Sequence, residues 1–429
     1  MYKILKLFIS LSLVILYVGC GAKPSVETNV NKKTFEKEDM YILIALRLEQ
    51  LKDYKSSADI FNALYEQTKR KEYLYRSLRN NLAANNNKKV VLKVNQIAKN
   101  SIDDFELVRI KIVALVKLEK LKEAQILALR LVQKTKLIDD YLLVSELYVK
   151  LKEFNTAVKY LESAYIKDYN EKILDRMAIV LYVNLQRKKE AIAQLETHSR
   201  IYGCSRTICS RLIGFYSNDN NIEGLISTYL RIYKVNTHKE IAQKIVQLYS
   251  YKKDYENMIS FLEKSRVDDE LLLQLYVQFK KYKKASPLAY EMYTESGDIS
   301  HLGQSAIFEY ESTKNKNNKI MQKSVVKKLT KVVNKKKDGV YLNYLGYLLI
   351  DHDIDVKKGL GYVKEALKIE SNSIYYLDSL AWGYYKLGEC QKAKDTMDKV
   401  KNMDGSSNKE VVKHIQMIDK CNKKSREIE

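Results

Sequence analysis

Residues 375–400 read YYLDSLAWGYYKLGECQKAKDTMDKV and divide into two amphipathic stretches. In each stretch apolar and small residues recur at steps of three and four, which is the pattern of a helix with one buried face. The break between the stretches lies at Gly388, and Ala393 follows near the start of the second stretch. The segment therefore predicts a hairpin of two helices, which must pack against further hairpins to bury its apolar stripe.

The same break, followed by a small or apolar residue, recurs along the chain. Neighbouring positions of this kind are 33 or 34 residues apart, except for one step of 27 and one gap of 74 that holds a further, irregular unit. A regular period of this length predicts a repeat protein, here of about eleven two-helix repeats. These anchor positions are Ser57, Val91, Ala124, Ala157, Ala191, Gly224, Met258, Ala285, Gly359 and Ala393.

Composition favours the same class of fold. The 429 residues include 14 glycines and two prolines, and 46% of them are hydrophobic. Sandwiches, barrels and Rossmann sheets need many tight turns, and turns are rich in these two residues. The chain is therefore expected to be all-α.

The repeats resemble the tetratricopeptide repeat family. Segments 343–373 and 375–400 match best, with Leu345, Gly346 and Gly359 in the family's small and apolar positions. The family's proline at the end of the second helix is missing throughout. The resemblance implies a right-handed superhelical solenoid whose first helices line a concave groove, and it implies that this groove binds a protein or peptide partner.

The N-terminus is predicted to be a targeting segment. Lys3 and Lys6 precede the apolar run 7–18, which as a helix would span about 18 Å. That length falls short of the roughly 30 Å hydrocarbon core of a membrane, so the pattern favours a cleavable signal over a spanning helix.

The end of this segment resembles a bacterial lipobox. Residues 16–20 read LYVGC, with Tyr17 where the motif usually has leucine. The resemblance implies that Cys20 is lipidated and becomes the first residue after cleavage. Gly21, in place of aspartate, implies sorting to the outer membrane by the same family's rule. The predicted location is the bacterial cell envelope, as an outer-membrane lipoprotein that faces the periplasm.

These patterns divide the chain into six segments. They are a signal peptide (1–19), the lipidated cysteine with a flexible tether (20–36), repeats one to eight (37–299), an irregular ninth repeat (300–336), the two best-matching repeats (337–403), and a cap helix with a tail (404–429).

Motifs that would indicate catalysis or metal binding are missing from the sequence. Neither a phosphate-binding glycine loop nor a zinc-protease helix motif occurs. Asp351, Asp353 and Asp355 imitate the start of a calcium loop, but Val356 and Tyr362 replace its glycine and its final glutamate. We therefore expect no enzymatic activity, catalytic residue, metal, cofactor or small-molecule substrate.

Four cysteines remain after the lipobox cysteine, and they allow three pairings in an oxidising compartment. Cys390 begins the second helix of the last repeat, and Cys421 ends the cap helix 409–421. In an antiparallel stack these ends are neighbours. A Cys390–Cys421 disulfide is therefore the favoured pairing, with Cys204–Cys209 as a further possibility.

Six residues on the best-matching first helices are expected to point into the groove. Aromatic rings beside amide, carboxylate and ammonium groups would clamp an extended peptide by stacking and hydrogen bonds. Ordinary packing between repeats is the alternative, and for the sole tryptophan the two interpretations have equal weight. The six are Asn343, Tyr347, Asp378, Trp382, Tyr385 and Lys386.

Two functional hypotheses follow. The first is a lipid-anchored, non-enzymatic scaffold that binds protein or peptide partners in the envelope, in the assembly of an envelope complex, and contacts the membrane through its lipid. The second is a nucleic-acid-binding helical repeat, since 75 basic and 53 acidic residues give a net charge of +22. Glu146, Gln247 and Asp378 at equivalent groove positions disfavour the second hypothesis.

Overall fold

The structure, a computed structural model, describes residues 36–98, 104–401, 403 and 406–426. These residues form 23 α-helices and no β-strand, which confirms the all-α prediction. None of these helices combines the length and apolar character that a membrane crossing requires. The chain divides into two compact units between Phe215 and Tyr216. The predicted lipidation site, Cys20, lies outside the described residues.

The helices of the first unit follow one another as antiparallel hairpins. A short π-helical turn, Val180–Asn184, extends the ninth helix. The bounds are α1 Glu38–Gln50, α2 Tyr54–Thr68, α3 Lys71–Ala83, α4 Asn87–Ala98, α5 Phe105–Lys117, α6 Leu121–Thr135, α7 Ile138–Lys150, α8 Phe154–Asp168, α9 Glu171–Ile179, α10 Lys188–Tyr202 and α11 Arg206–Asn218, in which the division between the units falls.

The second unit continues the pattern and ends in one unpaired helix, α23. The bounds are α12 Ile222–Val235, α13 Lys239–Lys252, α14 Tyr255–Ser265, α15 Asp269–Gln278, α16 Tyr282–Ser296, α17 Ile299–Ser312, α18 Lys319–Lys335, α19 Gly339–Asp351, α20 Val356–Ile369, α21 Ile374–Lys386, α22 Cys390–Val400 and α23 Lys409–Arg426.

Each anchor position falls in an even-numbered helix, which is the second helix of its hairpin. The irregular unit also contains two helices, α17 and α18. The described residues therefore form eleven hairpins and a final helix, so the predicted helical-repeat architecture is confirmed.

Side chains at the turns explain where many second helices begin. The Asp53 carboxylate accepts a hydrogen bond from the Ser56 backbone N–H at 3.1 Å and caps α2. Asn221 caps α12 and Asp254 caps α14 in the same way. Such caps satisfy backbone N–H groups that have no partner inside the helix.

The apolar interior is a series of clusters, each shared by consecutive helices. Ala45, Phe61 and Leu64 form the first cluster, between α1 and α2. Another joins Val325 and Leu329 of α18 to Leu345 of α19. Burial divided in this way is typical of a stack of repeats, in which each hairpin covers its neighbour.

Pro287 differs from its predicted place. The sequence suggests a position within the first turn of its helix, where a missing N–H is tolerated. In the structure Pro287 is the sixth residue of α16, which nevertheless runs unbroken from Tyr282 to Ser296.

Candidate functional site

A concave pocket of about 710 Å³ lies in the second unit, lined by residues of α17, α19, α21, α23 and the loops beside them. Helix α19 contributes Val340, Asn343, Tyr347 and Asp351, at steps of three and four residues. This spacing places the four side chains on one face of the helix. The helices α17, α19 and α21 are first helices of consecutive hairpins, which is the set predicted to line the groove.

Five tyrosines form the aromatic part of the lining. The Tyr310 and Tyr344 rings meet edge to face, with centroids 5.9 Å apart. Tyr310 and Tyr376 are buried, whereas Tyr375 is 60% exposed at the rim. The five are Tyr310, Tyr344, Tyr347, Tyr375 and Tyr376, and we call the site the tyrosine–acid pocket.

Carboxylates stand beside these phenols. Tyr344 donates a hydrogen bond to Glu311 Oε1 at 2.6 Å, and Tyr347 donates one to Glu410 on α23. Burial raises the pKa of the Tyr344 phenol, and the hydrogen bond to Glu311 raises it further. The pKa of Tyr347 is raised by burial first and then by its bond to Glu410. Both phenols therefore act as neutral hydrogen-bond donors that orient these acids.

Asp378 forms the floor of the pocket and fastens α23 to α21. Its two carboxylate oxygens each lie 3.0 Å from His414 Nδ1, and both residues are buried. A buried carboxylate needs such a partner, because removing it from water is costly. The sequence places Asp378 in the groove, and the structure adds that the final helix covers one side of it.

Three of the six predicted groove residues line the pocket and three do not. Asn343, Tyr347 and Asp378 belong to the lining. Trp382, Tyr385 and Lys386 lie outside the lining.

Trp382 is only 4% exposed, so the packing interpretation is the one that the structure supports. Its indole stacks between Tyr385, with centroids 4.8 Å apart, and His414, with centroids 4.1 Å apart. Lys386 forms an ion pair with Asp353 at 2.7 Å and donates to the Asp351 carbonyl oxygen at 3.1 Å. Trp382 is therefore covered by α23, which packs on the face predicted to be open, and Tyr385 stacks on its other side. Lys386 is held instead by residues at and after the end of α19.

The irregular repeat and the cap helix contribute residues to the pocket that the sequence did not predict. Tyr310, Glu311 and Lys316 come from the weakly matching ninth repeat, and Glu410 comes from α23. Tyr344 and Asp351, by contrast, share the α19 face with the predicted Asn343 and Tyr347, so helical spacing alone could have found them.

Both cysteine pairs are bonded in the structure. Cys390 and Cys421 form a disulfide with Cα atoms 5.7 Å apart, which joins α22 to α23. Cys204 and Cys209 form a second one, with Cα atoms 5.4 Å apart. In the described part of the chain, no group of three or more His, Cys, Asp or Glu side chains is arranged to hold a metal ion.

Comparisons with known proteins add similar helical structures. No protein-family model and no curated protein sequence matches the chain. The Naa15/Naa10 structure bound to HypK-THB is 14% identical, with 82% of this chain and 66% of that chain covered and a TM-score of 0.36. Yeast Tom70 is 13% identical, with 91% of this chain and 97% of the Tom70 chain covered and a TM-score of 0.33.

A third similar structure is YrrB, described as a TPR protein with an unusual peptide-binding site. It is 12% identical, with 44% of this chain and 97% of that chain covered and a TM-score of 0.35. The repeat architecture of this protein is established by its own helices.

Proposed function

We propose that this protein is a non-enzymatic scaffold that holds a protein or peptide partner in the tyrosine–acid pocket while a lipid on Cys20 anchors it to the bacterial envelope. The observation that carries the binding role is the pocket itself. It is concave, it is built by three consecutive first helices, and it combines aromatic surface with hydrogen-bonding groups.

The size and lining of the pocket suit a peptide segment. Its volume of about 710 Å³ falls within the roughly 300–1,000 Å³ of pockets that hold small molecules, so it can take in side chains of a bound peptide. Val340 and Tyr375 are 56% and 60% exposed at its rim, so they are available to an incoming chain. Aromatic residues contribute much of the energy at such interfaces because they bury a large area at a small entropic cost.

The anchoring part of the proposal rests on the N-terminal sequence. Two lysines, an apolar run too short to span a membrane and the LYVGC motif precede the repeats. Export would place the pocket in the periplasm, where protein partners are present and the nucleic acids of the cytoplasm are not. The outer membrane is the proposed site of the anchor.

A photo-crosslinking experiment tests the binding role. The crosslinker p-benzoyl-phenylalanine would replace Tyr375 at the pocket rim and, as a control, Tyr251, which is 77% exposed on α13. We expect a discrete protein adduct from position 375 and none from position 251, in cells that express the full chain. Equal labelling at both positions would contradict the pocket as the binding site, and an adduct removed by nuclease would favour the nucleic-acid hypothesis.

Mass spectrometry tests the anchor. The N-terminal peptide from the membrane fraction should begin at Cys20 and carry acyl chains, and the Cys20→Ala variant should lack both features. An unprocessed or unacylated N-terminus in the wild-type protein would contradict the envelope location without affecting the binding role.

A further inference from the structure

The charge of the tyrosine–acid pocket is opposite to that of the chain. The whole sequence has a net charge of +22. The pocket lining contains a single basic residue, Lys316, among five acidic ones. The five are Glu311, Asp351, Glu370, Asp378 and Glu410. An acidic concavity on a basic protein concentrates negative potential at one place, because clefts with low-dielectric walls focus the field of their charges.

The five tyrosines of the pocket, its aromatic wall, favour a positively charged ligand, as the carboxylates do. The faces of tyrosine rings attract cations within about 6 Å of the ring centre. The pKa of the Tyr310 phenol is raised by its burial first and then by the negative charges of Asp351, Glu311 and Glu410. The ring and the carboxylates therefore act together on a positive group that enters the pocket.

The chain already places an ammonium group at this wall. Lys316 Nζ lies 4.1 Å from the centroid of the Tyr310 ring and 3.9 Å from Glu311 Oε2. It also donates a hydrogen bond to the Tyr310 carbonyl oxygen. The Lys316 ammonium group is thus stabilised by the Tyr310 ring, the Glu311 carboxylate and the Tyr310 carbonyl oxygen. The aromatic wall therefore already accommodates one cationic group.

One acceptor in the lining lacks a donor. The Oδ1 atom of Asn343 is buried and has no hydrogen-bond partner among the described residues. A buried acceptor without a donor is unfavourable, and native proteins seldom leave one. A ligand that brings N–H groups would satisfy it once the Asn343 amide turns toward the pocket that this residue lines. The Glu410 carboxylate, which also lines the pocket, accepts a hydrogen bond from Tyr347 and can accept further ones.

We propose that the tyrosine–acid pocket binds the cationic side chain of a lysine or arginine within an extended basic segment of the partner. The proposal rests on the proposed function, in which this pocket is the partner-binding site. Cation–π contacts with the tyrosines and hydrogen bonds to the carboxylates and to Asn343 select the positive group. Nonspecific electrostatic attraction cannot produce such binding, because a protein with a net charge of +22 repels basic peptides outside the pocket.

The test uses the full mature chain and fluorescein-labelled twelve-residue peptides in which serine alternates with lysine, arginine, glutamate or acetyl-lysine. Fluorescence anisotropy reports binding, and the emission of Trp382, the sole tryptophan, gives a second readout because its indole N–H is bonded to Asp351 in the lining. We expect the lysine and arginine peptides to bind, and the glutamate and acetyl-lysine peptides to bind at least about tenfold more weakly.

Variants locate the binding site. The double variant Glu311→Gln and Glu410→Gln removes two charges but keeps acceptors for Tyr344 and Tyr347, so the fold should be retained and affinity for the lysine peptide should fall about tenfold. The matched control is Glu295→Gln, an exposed glutamate at the end of α16 and outside the lining. It should leave the affinity unchanged. An equal loss in the control and the double variant would overturn the proposal.

The outcomes separate this inference from the proposed function. Preference for the glutamate peptide, or equal binding of lysine and acetyl-lysine peptides, would overturn the cation proposal. If position 375 still gives its discrete protein adduct, the scaffold role stands and only the ligand class is wrong. If no peptide binds and position 375 gives no adduct, both proposals fail.

Discussion

At the scale of single residues, the hairpin turns show how the chain reverses with so few glycines. Lys152, between α7 and α8, has a positive φ of 61°. Its N–H bonds to the Val149 carbonyl at 3.1 Å, and the Glu153 N–H bonds to the Tyr148 carbonyl at 2.9 Å. This is the Schellman arrangement that ends a helix on a left-handed residue. The left-handed residues between the two helices of a hairpin are Lys52, Asn85, Glu119, Lys152, Gln186, Asn220, Lys253, Lys280, Asp353 and Gly388.

Replacing Lys152 with glycine should stabilise the protein. A left-handed conformation costs a non-glycine residue about 1–2 kcal/mol, whereas the extra freedom of glycine in the unfolded chain costs about 0.5–1 kcal/mol. The expected gain for Lys152→Gly is therefore about 0.5–1 kcal/mol, measured by urea denaturation. Lys159→Gly, exposed in the middle of α8, is the control and should destabilise by about 1 kcal/mol. A loss of stability in both variants would refute the explanation.

Two histidines are expected to make the free energy of unfolding depend on pH. Burial lowers the pKa of His198 and of His352 below the usual 6.5. Each shares a hydrogen bond with a phenol, His198 with Tyr165 at 2.8 Å and His352 with Tyr310 at 3.0 Å. Below pH 6.5 the unfolded chain takes up these protons before the folded protein does, so stability is retained above 6.5 and falls as the pH drops toward the folded values.

The free energy of unfolding should fall by at most about 1.4 kcal/mol per pH unit for each histidine as the pH is lowered. We expect the double variant His198→Gln and His352→Gln to lose less stability than the wild type when the pH is lowered from about 7.5 to about 5.5. Urea midpoints at several pH values measure this. His238→Gln, at an exposed position before α13, is the control. An unchanged slope in the double variant would assign the acid sensitivity to other groups.

At the scale of secondary-structure elements, the α19–α20 hairpin shows why two glycines occupy the small positions of the repeat. A Cβ atom on Gly346 would lie 2.8 Å from the Gly359 carbonyl oxygen, and one on Gly359 would lie 2.7 Å from the Gly346 carbonyl oxygen. The two helix backbones therefore touch at this point. Neither oxygen can move without displacing its helix.

Alanine at this crossing should force the helices apart. Gly359→Ala is expected to destabilise the protein by about 1–3 kcal/mol, which is the usual cost of overpacking a core. Gly361→Ala is the matched control on the same helix, because its Cβ would have no atom within 4 Å. Since alanine favours a helix over glycine, the control should gain up to about 1 kcal/mol. A lower unfolding temperature for Gly359→Ala and a higher one for Gly361→Ala would support the close approach of the two helices. Equal shifts of the unfolding temperature in the two variants would contradict it.

At the scale of the whole molecule, stability is spread along the chain. Within each unit, the helix contacts join helices that are adjacent or next but one in sequence, and the apolar clusters follow in the same order. Such an array behaves as a sum of repeat stabilities and neighbour contacts, so damage to one repeat should remain local.

Hydrogen exchange tests this locality. Phe61 is 1% exposed, and Phe61→Ala should cost about 3–5 kcal/mol by leaving a cavity in the first cluster. Amide exchange should become faster within residues 36–98 and stay unchanged within residues 339–386. Ile166→Ala, at a 59% exposed position, is the control and should change neither region. Faster exchange in both regions of Phe61→Ala would indicate a single cooperative core.

The sequence by itself determined the helical class, the number of hairpins and the first-helix face that carries Asn343 and Tyr347. These follow from local spacing, because a period of three to four residues defines a helix face and a period of about 34 defines a repeat. Left-handed turns at lysine and glutamate positions were not predictable, because no glycine marks them.

Only the tertiary structure decided which side chains meet at the site. The irregular repeat supplies Tyr310 and Glu311, and α23 supplies Glu410 and covers the face that carries Trp382. Contacts between segments far apart in sequence leave no local period, so no spacing rule could place the cap helix beside α19 and α21. The acid character of the pocket arises from this assembly, within a chain whose net charge is +22.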